Sequence, residues 1–138
     1  MAETNSRDYR PTEDEPYMND NQREYFRRKL LGWRDEILRG SNETLRQLKE
    51  EESRVADMTD WASVETERNF QLRARDRERK LLSKIDEALR RIEEGTYGFC
   101  EETQEPIGLR RLEARPIATL SIEAQERHER REKTYRDE

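Results

Sequence analysis

Two residue pairs near the C-terminal end of the sequence have the spacing of a metal site. Cys100 and Thr103 are placed like the ends of a C-x2-C knuckle, and Ser121 and Ala124 repeat this spacing after seventeen intervening residues. A four-cysteine zinc ribbon has this arrangement. Structural zinc requires four thiolate or imidazole ligands, however, and of the four positions only Cys100 supplies one. With His128 and nearby carboxylates as the only alternative donors, the sequence predicts a zinc-like skeleton without zinc, and no other cofactor.

Two charged segments are the other candidate sites. Asp57 and Asp60 lie where one helical pattern stops and the next begins, so their carboxylates are expected at a turn, although Asp60 alone also fits a helix N-cap. Further along, residues 73–80 read Arg-Ala-Arg-Asp-Arg-Glu-Arg-Lys, with no large apolar residue. This basic band fits a solvated helix face with i,i+4 ion pairs as well as it fits a contact surface. Both interpretations remain open.

The composition favours a narrow helical rod over a compact globule. Of the 138 residues, 44% are charged and only 30% are apolar, whereas globular domains are nearly half apolar. Opposite charges are mixed, with 28 basic and 33 acidic residues, and can pair along helix faces. The hydrophobic periodicity argues against the alternative of wholesale disorder. The net charge of −5 disfavours direct DNA binding, which depends on Lys and Arg displacing counterions.

A helical region is predicted over residues 19–95. Its first apolar stripe has helical steps of three and four residues and consists of Phe26, Leu30, Trp33, Ile37, Leu45, Leu48 and Val55. The second stripe ends before Gly95, a residue favoured after a helix, and consists of Leu82, Ile85, Leu89 and Ile92, preceded by Leu72. Because only a short segment, with its tip near 56–61, separates the stripes, an antiparallel helical hairpin is expected. Gly40 is the expected boundary between a packed base and a projecting arm.

The two ends of the chain have a different character. Residues 1–18 are polar, contain two prolines and lack apolar periodicity, so a loose N-terminal arm, or a segment ordered only by packing, is expected. Asn19 or Asn21 is the expected N-cap of the first helix. Residues 96–138 mix turn formers with bulky apolar residues, which predicts a small knob with its own core, followed by a C-terminal helix that begins at Ser121.

Several classes of protein are disfavoured by what the sequence lacks. One His, one Cys and no Gly-rich phosphate loop leave little material for an active site, so no catalytic activity is expected. No apolar run is long enough for a signal core or a membrane span, which predicts a cytoplasmic protein. Since the two helices of the hairpin can pair within one chain, a monomer is expected.

Four segments of the sequence resemble the DksA/TraR family of transcription factors. They are residues 17–28, 75–81, 96–101 and 107–116, and the resemblance covers about residues 16–130. The most specific run is Leu-Glu-Ala-Arg-Pro at 112–116. The four cysteines of the family correspond here to Cys, Thr, Ser and Ala, so the chain is similar to a low-cysteine member, which implies the same fold without zinc.

The resemblance implies a mainly α fold. A long antiparallel coiled-coil hairpin with an acidic tip would project from a small globular base, zinc-finger-like but zinc-less, to which both chain ends and the C-terminal helix contribute. The hairpin of such proteins enters the secondary channel of RNA polymerase, and its tip approaches the catalytic centre. Together with the alarmone ppGpp, these proteins destabilise promoter complexes, repress ribosomal RNA promoters and activate some amino-acid biosynthesis promoters.

The resemblance also implies roles for individual residues. The family's tip motif D-x-x-D-x-A corresponds to Asp57, Asp60 and Ala62, although the prolines usual around it are absent. Arg77 corresponds to an arginine that contacts the rim of the channel. The residues that correspond to the ppGpp pocket are Leu81, Lys84 and Arg115, with Gln125 in place of a further lysine.

Two other functions remain open from the residues alone. A Gre-like transcript-cleavage factor also sends an acidic coiled-coil tip through this channel, where its carboxylates help to hold a catalytic Mg²⁺. An assay of RNA cleavage in stalled transcription complexes distinguishes such a factor from a DksA-like regulator. A plain coiled-coil adaptor for some other protein is the third class, and under it replacing Asp57 and Asp60 would leave transcription unchanged.

Overall fold

The structure, a computed structural model, describes residues 9–55 and 61–136. Within these ranges the chain forms four α-helices, which are α1 (Asp20–Val55), α2 (Trp61–Glu94), α3 (Leu109–Ala114) and α4 (Ile122–Arg136). The only β-pairing in the same ranges is an isolated antiparallel bridge between Phe99 and Pro106. None of these helices is long and apolar enough to cross a membrane. The prediction of a mainly α fold is confirmed.

The two long helices begin and end at residues that the sequence singles out. The Asn19 side chain accepts a hydrogen bond from the backbone N–H of Gln22 at 2.8 Å, which makes Asn19 the N-cap of α1. Gly95 follows α2 with φ +81, and the next backbone N–H, of Thr96, donates to the carbonyl of Arg91 at 3.0 Å. This left-handed residue after a helix is the usual glycine C-cap. The other predicted cap, Asp60, lies outside the described residues.

The chain divides into two compact units. The first contains the chain up to Leu30 and the chain from Glu87 onward, and the second runs from Leu31 to Asp86. The boundary on α1 therefore lies ten residues before Gly40, and the prediction that placed it at Gly40 is wrong. Helix α1 continues through Gly40, because one exposed glycine costs a helix only about 1 kcal/mol relative to alanine and the flanking turns are intact.

In the second unit, α1 and α2 pair along a seam of residues that are partly or fully buried. The seam residues recur at steps of three and four, and they are Trp33, Ile37, Ser41, Leu45 and Leu48 on α1 and Gln71, Ala74, Glu78, Leu81 and Ile85 on α2. Such steps are typical of coiled-coil packing. The Arg34 guanidinium Nε lies 2.9 Å from the Asp86 carboxylate, which brings the start of α1 in this unit to the end of α2. The two helices are therefore antiparallel, as predicted.

Leu72 does not belong to this seam, although the sequence analysis placed it in the apolar stripe of α2. Its side chain is 49% exposed. Successive helix residues are rotated by about 100° around the helix axis. Leu72 therefore points outward, while Gln71 and Ala74 lie on the inner face, in the seam. The middle of the seam is consequently polar, and the buried oxygens Oε1 of Gln71 and Oε2 of Glu78 have no hydrogen-bond partner there.

The core of the first unit joins α1 to the C-terminal part of the chain. Phe26 and Leu30 on α1 are fully buried, as is Leu112 on α3. The rings of Phe26 and Tyr97 lie with their centroids 5.7 Å apart, and the Tyr97 hydroxyl donates to the carbonyl of Pro116 at 2.7 Å. The apolar residues of the knob are therefore buried in a core that they share with the first turns of α1.

Residues 9–18 are anchored to this core, which agrees with the expected alternative of a segment ordered by packing and not with a loose arm. The Tyr17 hydroxyl donates to the carbonyl of Gly98 at 2.6 Å and accepts from the backbone N–H of Gly108 at 3.0 Å. Met18 is buried beside Gly98. The amide of the fully buried Gln22 donates to the carbonyl of Thr12 at 3.2 Å. Tertiary hydrogen bonds of this kind order a segment that has no apolar periodicity of its own.

Candidate functional site

The segment after α2 forms a tight turn that holds Cys100. The backbone N–H of Cys100 donates to the carbonyl of Glu105 at 2.8 Å, and the N–H of Ile107 donates to the carbonyl of Gly98 at the same distance. The N–H of Gln104 closes the turn by donating to the carbonyl of Cys100 at 2.9 Å. Gln104 itself has φ +59. This backbone directs several N–H groups inward, toward the sulfur.

The thiol of Cys100 is buried in a cradle of hydrogen-bond donors. Only 1% of the residue is exposed. Burial raises the pKa of the thiol, but hydrogen bonds from the Thr103 hydroxyl and from the backbone N–H groups of Ser121, Thr103 and Glu102 lower it more. The pKa consequently lies at about 6, compared with an ordinary value of 9.0. The cradle therefore stabilises the thiolate.

The structure brings the four residues of the zinc-like skeleton together. Ser121, which contacts Cys100 through its N–H, also accepts a hydrogen bond from the N–H of Ala124 at 3.2 Å through its hydroxyl and so caps α4. Ala124 is fully buried. The donors in this arrangement are one thiol and two hydroxyls, with a methyl group at the fourth position. These residues do not fit a structural zinc ion, which takes thiolate and imidazole ligands.

The side chains of the alternative donors, the imidazole of His128 and a nearby carboxylate, contact each other. The imidazole Nε2 of His128 forms a hydrogen bond with the carboxylate of Glu102. This bond lowers the pKa of Glu102. Among the described residues, no group of three or more His, Cys, Asp and Glu side chains is placed to hold a metal ion.

The lowered pKa of Cys100 means that the stability of the fold should depend on pH. Because its pKa is lower in the folded chain than in the unfolded one, the unfolded state binds more protons between pH 6 and 9. We expect the free energy of unfolding to rise across this range, and the contribution to be lost as the pH falls through 6. Urea unfolding of the wild type and of Cys100→Ala at several pH values measures the contribution of the thiolate to the free energy of unfolding. A difference between the two proteins that stays constant from pH 5.5 to 9 would contradict the assignment, since all other titrating groups cancel.

The predicted contact residues on α2 lie in the second unit. Arg77 and Lys84 are exposed on α2, whereas Leu81 is partly buried in the seam. The basic band thus mixes exposed and partly buried residues. Arg75 lies along the seam, and Lys80 pairs with Asp76 at 3.3 Å.

The last residue predicted to contact ppGpp, Arg115, belongs to the first unit. It follows α3 and is exposed. Glu113 lies two residues before Arg115. The Lys29 ammonium holds it in place by donating to its backbone carbonyl at 2.9 Å and to its carboxylate at 2.7 Å. Partial burial raises the pKa of Glu113, but hydrogen bonds from Lys29 and Tyr25 lower it more, so its carboxylate stays ionised. Lys29 thereby positions the segment that carries Arg115, a contact that sequence spacing does not reveal. Gln125 is partly exposed on α4.

The predicted tip is not part of the described structure. Asp57 and Asp60 lie outside the described residues, in the stretch of the chain between Val55 at the end of α1 and Trp61 at the start of α2. Ala62 belongs to the first turn of α2.

One surface residue is not predicted by the sequence patterns. Phe70 is 66% exposed on α2, close to the basic band. The sequence signal is its position, since Phe70 is a large apolar residue that lies outside the three- and four-residue steps of the seam.

Two protein-family models match consecutive parts of the chain. Residues 22–92 match the family model described as the N-terminal domain of the DnaK suppressor protein DksA. Residues 95–130 match the model described as the prokaryotic dksA/traR C4-type zinc finger. The chain belongs to the DksA family. The second match locates the four-cysteine motif of the family in the segment where this chain retains one cysteine, Cys100.

Individual members of the family are similar over nearly the whole chain. The RNA polymerase-binding transcription factor DksA of Caulobacter vibrioides is 66% identical over 131 residues, which are 95% of this chain and 92% of that protein. The protein of the same name from Escherichia coli is 41% identical over 125 residues, covering 91% of this chain and 83% of that protein. The solved structure of transcription factor DksA2 from Pseudomonas aeruginosa superposes with a TM-score of 0.80 at 51% identity, covering 85% of this chain and 90% of the other. These relatives are named as transcription factors and not as enzymes.

Proposed function

We propose that this chain binds RNA polymerase and regulates transcription initiation. The observation that carries the proposal is the 66% identity, over 95% of the chain, to a protein named as an RNA polymerase-binding transcription factor. The similarity extends through both family domains in the same order. The contacts of the fold support it, since the paired helices of the second unit leave Arg77 exposed to a partner.

The mode of action that we propose is entry of the two-helix unit into the secondary channel of the polymerase. Antiparallel pairing of α1 and α2 supports this mode, because the segment that contains Asp57 and Asp60 is the only connection between them. Two carboxylates delivered close to the catalytic centre can perturb the ion pairs and hydrogen bonds that hold the open complex. The expected outcome is a shorter-lived complex at ribosomal RNA promoters and activation at some biosynthetic promoters. Such a protein acts in the cytoplasm as a monomer without reading the DNA sequence itself.

Transcription with purified components tests the function directly. Polymerase, a ribosomal RNA promoter and the wild-type chain are combined with and without ppGpp, and the lifetime of the open complex is measured. We expect the chain to shorten this lifetime and ppGpp to increase the effect. An unchanged lifetime together with no detectable binding to polymerase would refute the proposal, and cleavage of the RNA in stalled complexes would assign the chain to the transcript-cleavage class instead.

We further propose that Lys84 and Arg115 bind the phosphates of ppGpp. Both side chains are exposed, and neither forms an ion pair within the part of the chain that the structure describes. A charge-assisted hydrogen bond contributes about 1.5–3 kcal/mol, so each change to alanine should raise the ppGpp concentration needed for half of the effect about tenfold or more. Lys49→Ala and Arg110→Ala, which remove exposed cations elsewhere, are the matched controls. If all four variants respond alike, this assignment fails.

Zinc independence is a separate proposal. Hydrogen bonds to the Cys100 sulfur take the place that a metal ion has in a four-cysteine finger. We expect transcriptional activity and melting temperature to survive a strong chelator and hydrogen peroxide, with no zinc in the purified protein by elemental analysis. A loss of helicity on adding the chelator, measured by circular dichroism, would show that a metal supports the fold.

A further inference from the structure

The helix pair of the second unit has two parts that are packed differently. The near part lies beside the ion pair between Arg34 and Asp86, whose atoms are 2.9 Å apart. Its seam contains large apolar residues on both helices, which are Trp33, Ile37, Leu81 and Ile85. The far part comprises residues 42–55 of α1 and 61–77 of α2.

The far part has large apolar seam residues on one helix only. Helix α1 contributes Leu45 and Leu48, which are both partly buried. The seam positions of α2 are occupied by Gln71 and Ala74, and neither is a large apolar residue. Residues 65–70 are all exposed, and because six residues make more than one turn, every side of α2 is exposed there. Little apolar area is therefore buried between the two helices in the far part.

A polar break separates the near part from the far part. Ser41 lies seven residues after Arg34 on α1. Glu78 lies eight residues before Asp86 on α2, so these two seam residues stand at about the same level of the antiparallel pair. Oxygen Oε2 of Glu78 is buried without a hydrogen-bond partner in the described structure, as is Oε1 of Gln71 two turns away. Since a buried acceptor without a partner disfavours the packed state, separation of the helices would return both oxygens to water.

Helix α1 is weakened at the same level. Gly40 is exposed, and no atom lies within 4 Å of a Cβ built there, so packing does not require a glycine. Glycine loses more conformational freedom than alanine when a helix forms. Helical segments as short as the two in the far part are marginal without packing. Loss of the seam contacts should therefore loosen both segments together.

We propose that the far part of the helix pair opens and closes as one unit in the free chain, with its boundary at the level of Ser41 and Glu78. RNA polymerase binds the closed form, because entry into a channel requires the two helices to lie side by side. This second step rests on the proposed function, whereas the opening itself does not. The polar break thereby sets the fraction of the chain that is ready to bind, and with it the strength of regulation.

Hydrogen exchange of the full chain tests the opening. Amides 66–77 should share one common protection factor, because the hydrogen bonds of an opening unit are broken together. Amides 80–86, in the near part, should be protected at least about tenfold more strongly. Protection that falls gradually from residue 86 to residue 66 would indicate fraying of the helix end and overturn the inference. Equal protection of the two parts would overturn it as well.

Apolar residues at the break should close the far part. Gln71→Leu with Glu78→Leu removes both unpartnered oxygens and buries apolar area in their place, so the protection of amides 66–77 should rise about tenfold or more. Ser41→Leu fills the seam from α1 and should act in the same direction. This second variant separates closing of the helix pair from any direct contact that Gln71 or Glu78 makes with a partner.

The matched control introduces the same residue types outside the seam. Gln47 and Glu50 are exposed on α1, so Gln47→Leu with Glu50→Leu should leave the protection of the far part as it is in the wild type. An equal rise in the control and in the seam variants would assign the effect to helix propensity and refute the polar break as its cause.

Polymerase binding tests the second step. The apparent Kd of a protein is its intrinsic Kd divided by the fraction that is competent to bind. The protection factor of the far part gives the closed fraction of each free variant. Leu45→Ala with Leu48→Ala removes the apolar seam residues of α1 and should lower this fraction, whereas the leucine variants should raise it. Across all of them the affinity for purified polymerase should be proportional to the closed fraction, and an affinity that does not follow this fraction would overturn selection of the closed form.

The failure of this inference can be told from the failure of the proposed function. If the wild type binds polymerase and its two parts are protected alike, the inference is overturned while the proposed function stands. If the far part opens as one unit and the wild type does not bind polymerase, the proposed function and the second step are refuted while the opening stands.

Discussion

A chain in which Asp57 and Asp60 are both changed to asparagine is expected to bind polymerase normally and to have no effect on the open complex. The change removes two negative charges and keeps the size of both side chains. A regulatory coupling of about 1–3 kcal/mol alters a lifetime about five- to 150-fold. We therefore expect the lifetime at a ribosomal RNA promoter to return from its shortened value to that of polymerase alone. This lifetime is measured from the decay of open complexes after a competitor is added.

The matched control for this variant removes two carboxylates from another part of the same helix pair. Asp35 and Glu36 are exposed on α1 and form no ion pair within the described structure. Asp35→Asn with Glu36→Gln changes the net charge equally, so it should regulate like the wild type. A competition assay against labelled wild type shows whether each variant still occupies the polymerase. Full activity of the Asp57/Asp60 variant, with binding intact, would exclude the acidic tip as the acting group.

The helices and their ends could be predicted because local rules decide them. The cap at Asn19 and the glycine at 95 satisfy backbone groups that lie within one turn of them. The antiparallel pairing follows from two apolar stripes and a short connection. Each of the two residue pairs, Cys100 with Thr103 and Ser121 with Ala124, is also local, whereas the meeting of the two pairs was predicted only by analogy with the spacing of a zinc ribbon.

Contacts between distant parts of the chain could not be predicted in this way. Tyr17 and Gly98 are 81 residues apart and share a hydrogen bond. Lys29 reaches Glu113 over a separation of 84 residues. No periodicity records such pairs, so the sequence alone leaves a loose arm and a segment ordered by packing as alternatives for residues 9–18. The cradle of N–H donors around Cys100 depends on backbone directions that residue types alone do not specify.

The seam of the helix pair was predicted only where apolar residues mark it. Where the seam becomes polar, at Gln71 and Glu78, the nearest large apolar residue was assigned to it, and this residue, Leu72, is turned outward. The register is continued through the polar turns by Ala74, whose small side chain gives a weak hydrophobic signal. An apolar residue that falls outside a continuous register is better interpreted as a surface feature.

The largest effect on stability is expected for Gly98→Ala. Gly98 has φ +89, which costs a residue with a side chain about 1–2 kcal/mol. A Cβ there would lie 2.9 Å from Cγ of Met18 and 3.1 Å from the Tyr17 hydroxyl oxygen. Relief of this overlap would move Tyr17 away from the carbonyl of Gly98 and the N–H of Gly108. With overpacking costing about 1–3 kcal/mol more, we expect a total of about 2–5 kcal/mol and a melting temperature lower by roughly 10 °C.

Gly95→Ala separates the cost of the backbone conformation from the cost of the overlap. Gly95 has a positive φ, as Gly98 does, but no side chain packs against it. Its φ is +81, and no atom lies within 4 Å of a Cβ built there. This variant should lose only the conformational part, about 1–2 kcal/mol. Equal losses in the two variants would mean that Met18 and Tyr17 yield without cost, and that residues 9–18 do not brace the turn that holds Cys100. A larger loss in Gly98→Ala, removed when Met18 is shortened to alanine in the same chain, would identify the contact with this segment as the source of the strain.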